Sequence, residues 1–130
     1  MLPRVLVVDD EAGLRSVIAD LLDMEGYEVV CCDSVDAAET ELRKGDFGLA
    51  LVDVFLTAEP VGLGLVNRII AEHPNTGVII MTGFADRSQV EAACNSGAYT
   101  CIDKPFDLDD LMRVIEMTST AESGMRGAEC

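Results

Sequence analysis

Apolar and polar positions along the chain fall into two patterns that take turns. Five short stretches are apolar almost throughout: Arg4–Val8, Glu28–Cys32, Leu49–Asp53, Gly77–Met81 and Tyr99–Ile102. Short continuous apolar runs suit strands buried on both faces, as in a parallel sheet. Between them, apolar residues recur at three- and four-residue steps, the period of a helix with one buried face. Leu14, Val17, Ile18, Leu21 and Met24 mark a first helix, Val35, Ala38 and Leu42 a second, and Leu65, Val66, Ile69 and Ile70 a third. A thinner set, Val90, Ala93 and Cys94, marks a fourth helix from Asp86 to Gly97, and Leu108, Leu111, Met112 and Ile115 mark the last. Gly26 sits where a left-handed residue would end the first helix, Ser34 where a hydroxyl would cap the second, and Asp107 where a carboxylate would cap the last.

Five alternations of strand and helix with short connections predict an α/β fold, a (βα)5 doubly wound parallel sheet with helices on both faces. The folded domain is expected to span residues 1–118. Residues 119–130 are small and polar without a period, so they are expected to form a flexible C-terminal tail or linker stub.

Composition narrows the setting. The 130 residues fit one domain, and 49% of them are hydrophobic, enough for a core. No apolar run approaches the roughly 20 residues of a membrane span. The N-terminus runs directly into a strand, so no signal peptide is expected. The cysteines (31, 32, 94, 101 and 130) are odd in number and form no Cys-x-x-Cys pair. That pattern favours reduced thiols and a cytoplasmic location. A net charge of −15 repels phosphate backbones, which argues against direct nucleic-acid binding.

The chemistry collects where the strands end. In open parallel α/β sheets, sites lie at the carboxyl ends of the strands. The residues that leave these strands are Asp9-Asp10, Asp33, Asp53, Thr82 and Lys104. Three carboxylates in one mouth repel one another unless they hold protons or a cation, and an all-oxygen set suits a hard ion such as Mg²⁺. A metal, a carboxylate, the Lys104 cation and the Thr82 hydroxyl together fit a phosphoryl group, whose transfer needs mainly positioning and charge neutralisation. A carboxylate can serve as the nucleophile and give an aspartyl phosphate. Each residue also has a plain structural reading. Asp9 and Asp10 could favour a helix dipole, Thr82 could be a turn residue, and Lys104 a solvated lysine. Together those readings require independent accidents at the same end of four strands.

The set Val7-Val8-Asp9-Asp10-Glu11, Asp53, Met81-Thr82-Gly83, and Gly97-Ala98 leading to Lys104-Pro105-Phe106 resembles the receiver domain of bacterial two-component response regulators. The resemblance covers roughly residues 4–118. It implies a flavodoxin-like (βα)5 fold with strand order 2-1-3-4-5. It also implies a phosphorylation-dependent signalling switch that is not a conventional enzyme but catalyses its own phosphorylation and dephosphorylation. Asp53 would accept a phosphoryl group from a sensor histidine kinase or phosphotransfer protein. Mg²⁺ would be held by Asp10 directly, by Asp9 partly through water, by Asp53, and by the backbone carbonyl of Phe55. Lys104 would bind a phosphoryl oxygen. Thr82 would turn toward the phosphoryl group and alter the face of the fourth helix, fifth strand and fifth helix. A downstream protein, or a second copy of the chain in a homodimer, would bind that face.

Three positions depart from the family pattern. Cys101 stands where the family usually has an aromatic residue, and Tyr99 has the wrong parity to replace it, since side chains alternate across a strand. Thr57 stands where a proline is usual, with Pro60 later and the loop one residue longer. Phe55 and Phe84 are bulky where they would flank and shield a phosphoryl group. Competing readings have specific obstacles. A haloacid-dehalogenase-type phosphatase needs a second acid two residues after the nucleophile, where Phe55 stands. A flavodoxin-like cofactor site would need a first loop able to cradle phosphate, which Asp9-Asp10-Glu11 would repel. A receiver-like binding module that works without phosphorylation leaves the strand-end carboxylates unexplained.

Overall fold

A computed structural model of the chain describes residues 3–54, 56, 61–83 and 100–129, with side chains to residue 118. In chain order these form β1 (Arg4–Val8), α1 (Ala12–Met24), β2 (Glu28–Cys32), α2 (Val35–Lys44), β3 (Leu49–Asp53), α3 (Val61–Glu72), β4 (Gly77–Gly83), β5 (Thr100–Lys104) and a C-terminal helix, Leu108–Glu129. The five strands make one sheet in the order β2-β1-β3-β4-β5, and every pairing is parallel. The fourth helix expected over 86–97 lies outside the described residues.

Alternation along the strands divides the core in two. On one face Leu6, Val8, Ala50, Val52, Val78 and Ile80 meet Ala38 and Leu42 of α2 and Leu65, Val66 and Ile69 of α3. On the other, Val5, Val7, Leu49, Leu51, Ile79 and Met81 meet Ile18 and Leu22 of α1 and Leu111 and Ile115 of the C-terminal helix. The central strand β3 is buried along its whole length.

The helix ends follow from local chemistry. At the end of α1 the Gly26 N–H donates to the Asp23 carbonyl and the Tyr27 N–H to the Leu22 carbonyl, each at 3.0 Å. With Gly26 at a φ of 96°, this is a Schellman ending, and buried Tyr27 packs in the same core as Leu22. Ser34 caps α2, accepting from the Ala37 N–H at 3.2 Å. At the opposite end of the sheet Arg4 stacks over Phe47, with its guanidinium carbon 4.5 Å from the ring centre. It also pairs with Glu28 and donates to the Asp46 carbonyl at 3.2 Å.

Two boundaries differ from expectation. Strands β4 and β5 run on through Thr82-Gly83 and Asp103-Lys104, which pair in register, Thr82 with Asp103 and Gly83 with Lys104. The apolar pattern ends before these residues because they are polar or small, while backbone pairing continues. The C-terminal helix runs to Glu129, past the boundary expected at 118. Ala121, Glu122, Met125, Arg126 and Ala128 are good helix formers, so the backbone can continue helical where no apolar stripe marks it.

Gly26→Ala places a Cβ in the left-handed conformation. It is expected to lower stability by about 1 kcal/mol, seen as a lower urea midpoint at an unchanged slope.

Candidate functional site

Three side chains converge because the strand alternation sends them to one side. Asp53 continues the parity of Leu49 and Leu51, and Lys104 that of Ile102. Asp9 continues Val5 and Val7, its N–H extending the sheet by donating to the Cys32 carbonyl at 3.1 Å. All three therefore emerge on the face covered by α1 and the C-terminal helix. The Lys104 ammonium donates to Asp9 Oδ2 at 2.7 Å and to Asp53 Oδ2 at 3.0 Å. Asp9 is fully buried and Asp53 is 5% exposed. Burial works against the Lys104 charge, but the hydrogen bonds to Asp9 and Asp53 and their charges outweigh it and raise its pKa above the usual lysine value. The lysine's contribution to the bridge is therefore held through the neutral range and is lost as pH climbs past the raised value.

Asp9 is also the turn that starts α1. Its Oδ1 accepts the Glu11 N–H at 2.8 Å, an Asx-type turn. Arg15, one turn into α1, donates to the Asp9 carbonyl at 2.7 Å. Asp9 thus lies two residues before Glu11, the N-cap of α1, and also meets Lys104 at the sheet mouth. Asp10, the next residue, is exposed. One carboxylate oxygen from each of Asp9, Asp10 and Asp53 lies within 4.8 Å of the others. At that separation each ionised pair repels by about 3 kcal/mol at an effective dielectric of roughly 20. Lys104 bridges two of the three carboxylates, and the all-oxygen set suits a hard cation. Asp9 uses one oxygen on the Glu11 N–H and the other on Lys104.

Thr82 is buried on the neighbouring strand. It follows Met81, the register partner of Asp53. Its hydroxyl donates to the Gly83 carbonyl at 3.2 Å, and it has the parity of Val78 and Ile80. It therefore starts on the α2–α3 side of the sheet, away from the side on which Lys104 emerges. Phe55, Thr57, Pro60, Phe84 and Tyr99 lie outside the described residues. Cys101 packs against the α2–α3 core and is disulfide-bonded. This corrects the expectation of reduced thiols at that position; Cys31 and Cys32 are free. Burial pushes the Cys32 thiol up to about 11, with the nearby Glu41 charge adding to it. The sequence reading missed Arg15, although its place one turn after Asp9-Asp10-Glu11 was a usable signal. Among the described residues no helix is long and apolar enough to cross a membrane.

The fold is thus a doubly wound parallel sheet with a lysine-bridged pair of carboxylates at the carboxyl ends of β1 and β3. The family model of the response regulator receiver domain matches residues 5–116. The chain is 33% identical over 113 residues to the nitrogen assimilation regulatory protein NtrX of Azorhizobium caulinodans, covering 86% of this chain and 25% of that protein. It is 35% identical over 117 residues to the transcriptional regulatory protein PdtaR of Mycobacterium tuberculosis, covering 88% of this chain and 55% of that one. The crystal structure of the receiver domain of NtrX from Brucella abortus superposes with a TM-score of 0.81 at 32% identity, covering 89% of this chain and 98% of that one. The chain belongs to the response regulator receiver domain family. It spans about a quarter of the NtrX relative and about half of PdtaR.

Lys104→Met leaves Asp9 and Asp53 facing each other without their shared cation. In the absence of divalent metal it is expected to destabilise the fold by about 3 kcal/mol, the low end of the cost of breaking a buried pair. Thermal unfolding with and without Mg²⁺ checks this: added Mg²⁺ should restore more stability to the variant than to the wild type.

Proposed function

We propose that this receiver domain is a phosphorylation switch in which Asp53 is the phosphoacceptor. Receiver domains are signalling switches of two-component systems, which interact with histidine kinases and downstream effectors. The observation that carries the assignment to Asp53 is the Lys104 ammonium held between Asp9 and Asp53 at the mouth of the sheet.

On this reading a carboxylate oxygen of Asp53 attacks the phosphorus of a phosphohistidine on a sensor kinase or phosphotransfer protein. The phosphorus–nitrogen bond breaks as the phosphorus–oxygen bond forms, and the imidazole leaves and takes up a proton. Asp10 and Asp53, the backbone carbonyl of Phe55, and Asp9 partly through water would hold Mg²⁺, which supplies charge neutralisation when bound. Lys104 already contacts the Asp53 oxygen and would keep a phosphoryl oxygen company after transfer. Thr82 would give up the Gly83 carbonyl and donate to the phosphoryl group instead. Loss of the phosphoryl group to water at the same site would reset the switch. The output would pass to the face of β5 and the C-terminal helix, where Leu108 and Met117 are exposed, Met117 by 65%. A downstream protein or a second copy of the chain would cover it. Such a donor places the domain in the cytoplasm, and no direct contact with nucleic acid or membrane is required.

Intact mass after incubation with a small phosphodonor, with and without Mg²⁺, tests the reading. The expected result is one phosphate on the wild type, dependent on Mg²⁺ and absent from Asp53→Asn. No adduct on the wild type, under conditions that label another receiver, would leave a binding module that works without phosphorylation.

A further inference from the structure

Helix α3 begins directly against the backbone that carries Asp53. The Gly62 N–H donates to the Val54 carbonyl at 3.0 Å. A Cβ placed on Gly62 would overlap the Asp53 carbonyl oxygen and come within 2.8 Å of both the Cα and the carbonyl oxygen of Val54. On its other side the same segment is tied to β4, since the Val54 N–H donates to the Met81 carbonyl at 3.1 Å. The Asp53–Val54 peptide is therefore gripped between two pieces of backbone. Neither is the far end of a flexible side chain that could swing aside.

Any side chain at position 62 must displace one of the two. Helix α3 is pinned by Leu65, Val66 and Ile69, which are buried in the core. The body of β3 is equally buried. The movement then falls where the strand ends, at Asp53 and Val54. Asp53 has little slack there, because its carboxylate stands 3.0 Å from the Lys104 ammonium.

We infer that Gly62 is a positioning residue for the phosphoacceptor. The missing side chain at 62 sets where the Asp53 carboxylate stands relative to Asp9, Asp10 and Lys104. The inference rests on the reading of Asp53 as the phosphoacceptor. It gives the glycine a role in reactivity and cation binding as well as in packing.

The structure supplies a matched control. Gly64, two residues on in the same helix, would meet nothing within 4 Å if it carried a Cβ. Gly62→Ala and Gly64→Ala both raise helix propensity, and only the first touches the strand end. The test compares wild type, Gly64→Ala, Gly62→Ala and the double variant in which Gly64→Ala supports the helix. Each is measured for the rate of labelling by a small phosphodonor, for Mg²⁺ affinity by calorimetry, and for the urea midpoint. Gly64→Ala should label and bind Mg²⁺ as the wild type does. Gly62→Ala, folded alone or in the double variant, should label on the order of tenfold more slowly or worse, as a misplaced reacting group does, and should bind Mg²⁺ more weakly. A glycine needed only for packing would lower the urea midpoint and leave the labelling rate and Mg²⁺ affinity of the folded protein unchanged, and that result overturns the inference. So does a chain that stays unfolded in both backgrounds. A wild type that takes no phosphate sinks the phosphoacceptor reading itself, whatever position 62 does.

Discussion

Asp9 and Asp53 sit almost out of water and share one ammonium, and the geometry of the site follows from that arrangement. A carboxylate at such depth costs several kcal/mol unless it is paired and hydrogen-bonded. Asp9 meets the requirement with Glu11 and Lys104, and Lys104 is among the partners of Asp53. The lysine reaches the mouth from β5, three positions along the sheet from β1. With all strands parallel, the carboxyl ends of β1, β3 and β5 lie along one edge of the sheet, and the long lysine side chain reaches past β4 to both carboxylates. The bridge stabilises this topology locally. On the proposed function, the carboxylates that hold the sheet ends in place would also hold a hard cation.

The strand alternation decided which polar residues could cooperate. Asp9, Asp53 and Lys104 fall on one side of the sheet, while Thr82 falls on the other and must change partners to join them. On the proposed function this difference separates a resident set, already in contact, from a responding residue whose hydroxyl is parked on the Gly83 carbonyl. A buried hydroxyl can make that exchange at small net cost, because one hydrogen bond replaces another.

The fold was legible because its signals are strong and local. Continuous apolar strands, three-and-four periodicity, and the caps at Gly26 and Ser34 all agree with the observed elements. The carboxyl-end rule for parallel sheets then gathered Asp9, Asp10, Asp53 and Lys104 before any geometry was known. What the sequence hid has physical reasons. Strand ends at Thr82-Gly83 and Asp103-Lys104 are set by backbone pairing, which leaves no apolar trace. The helical backbone beyond 118 has no amphipathic stripe to announce it. The disulfide at Cys101 depends on spatial proximity, on which cysteine spacing is silent. Gly62 carries no signal of its own, because a glycine chosen for close approach and one chosen for a turn are the same letter.

Lys104 ends β5 and leads through Phe106 into the C-terminal helix, whose Leu111 and Ile115 pack beneath the sheet with Met81 and Ile102. The ammonium thus connects the acidic mouth to the element that carries the exposed Leu108 and Met117. If Asp53 takes a phosphoryl group, the Lys104 ammonium faces phosphoryl oxygens in place of one carboxylate oxygen, and its hold on Asp9 weakens or strengthens accordingly. Asp9 in turn starts α1 through Glu11 and is held by Arg15. A change of charge at one carboxylate is therefore felt at both helices on the same face of the sheet, through contacts that already exist. A packed core answers such a demand by shifting between arrangements and not by yielding continuously, which is the property a switch requires.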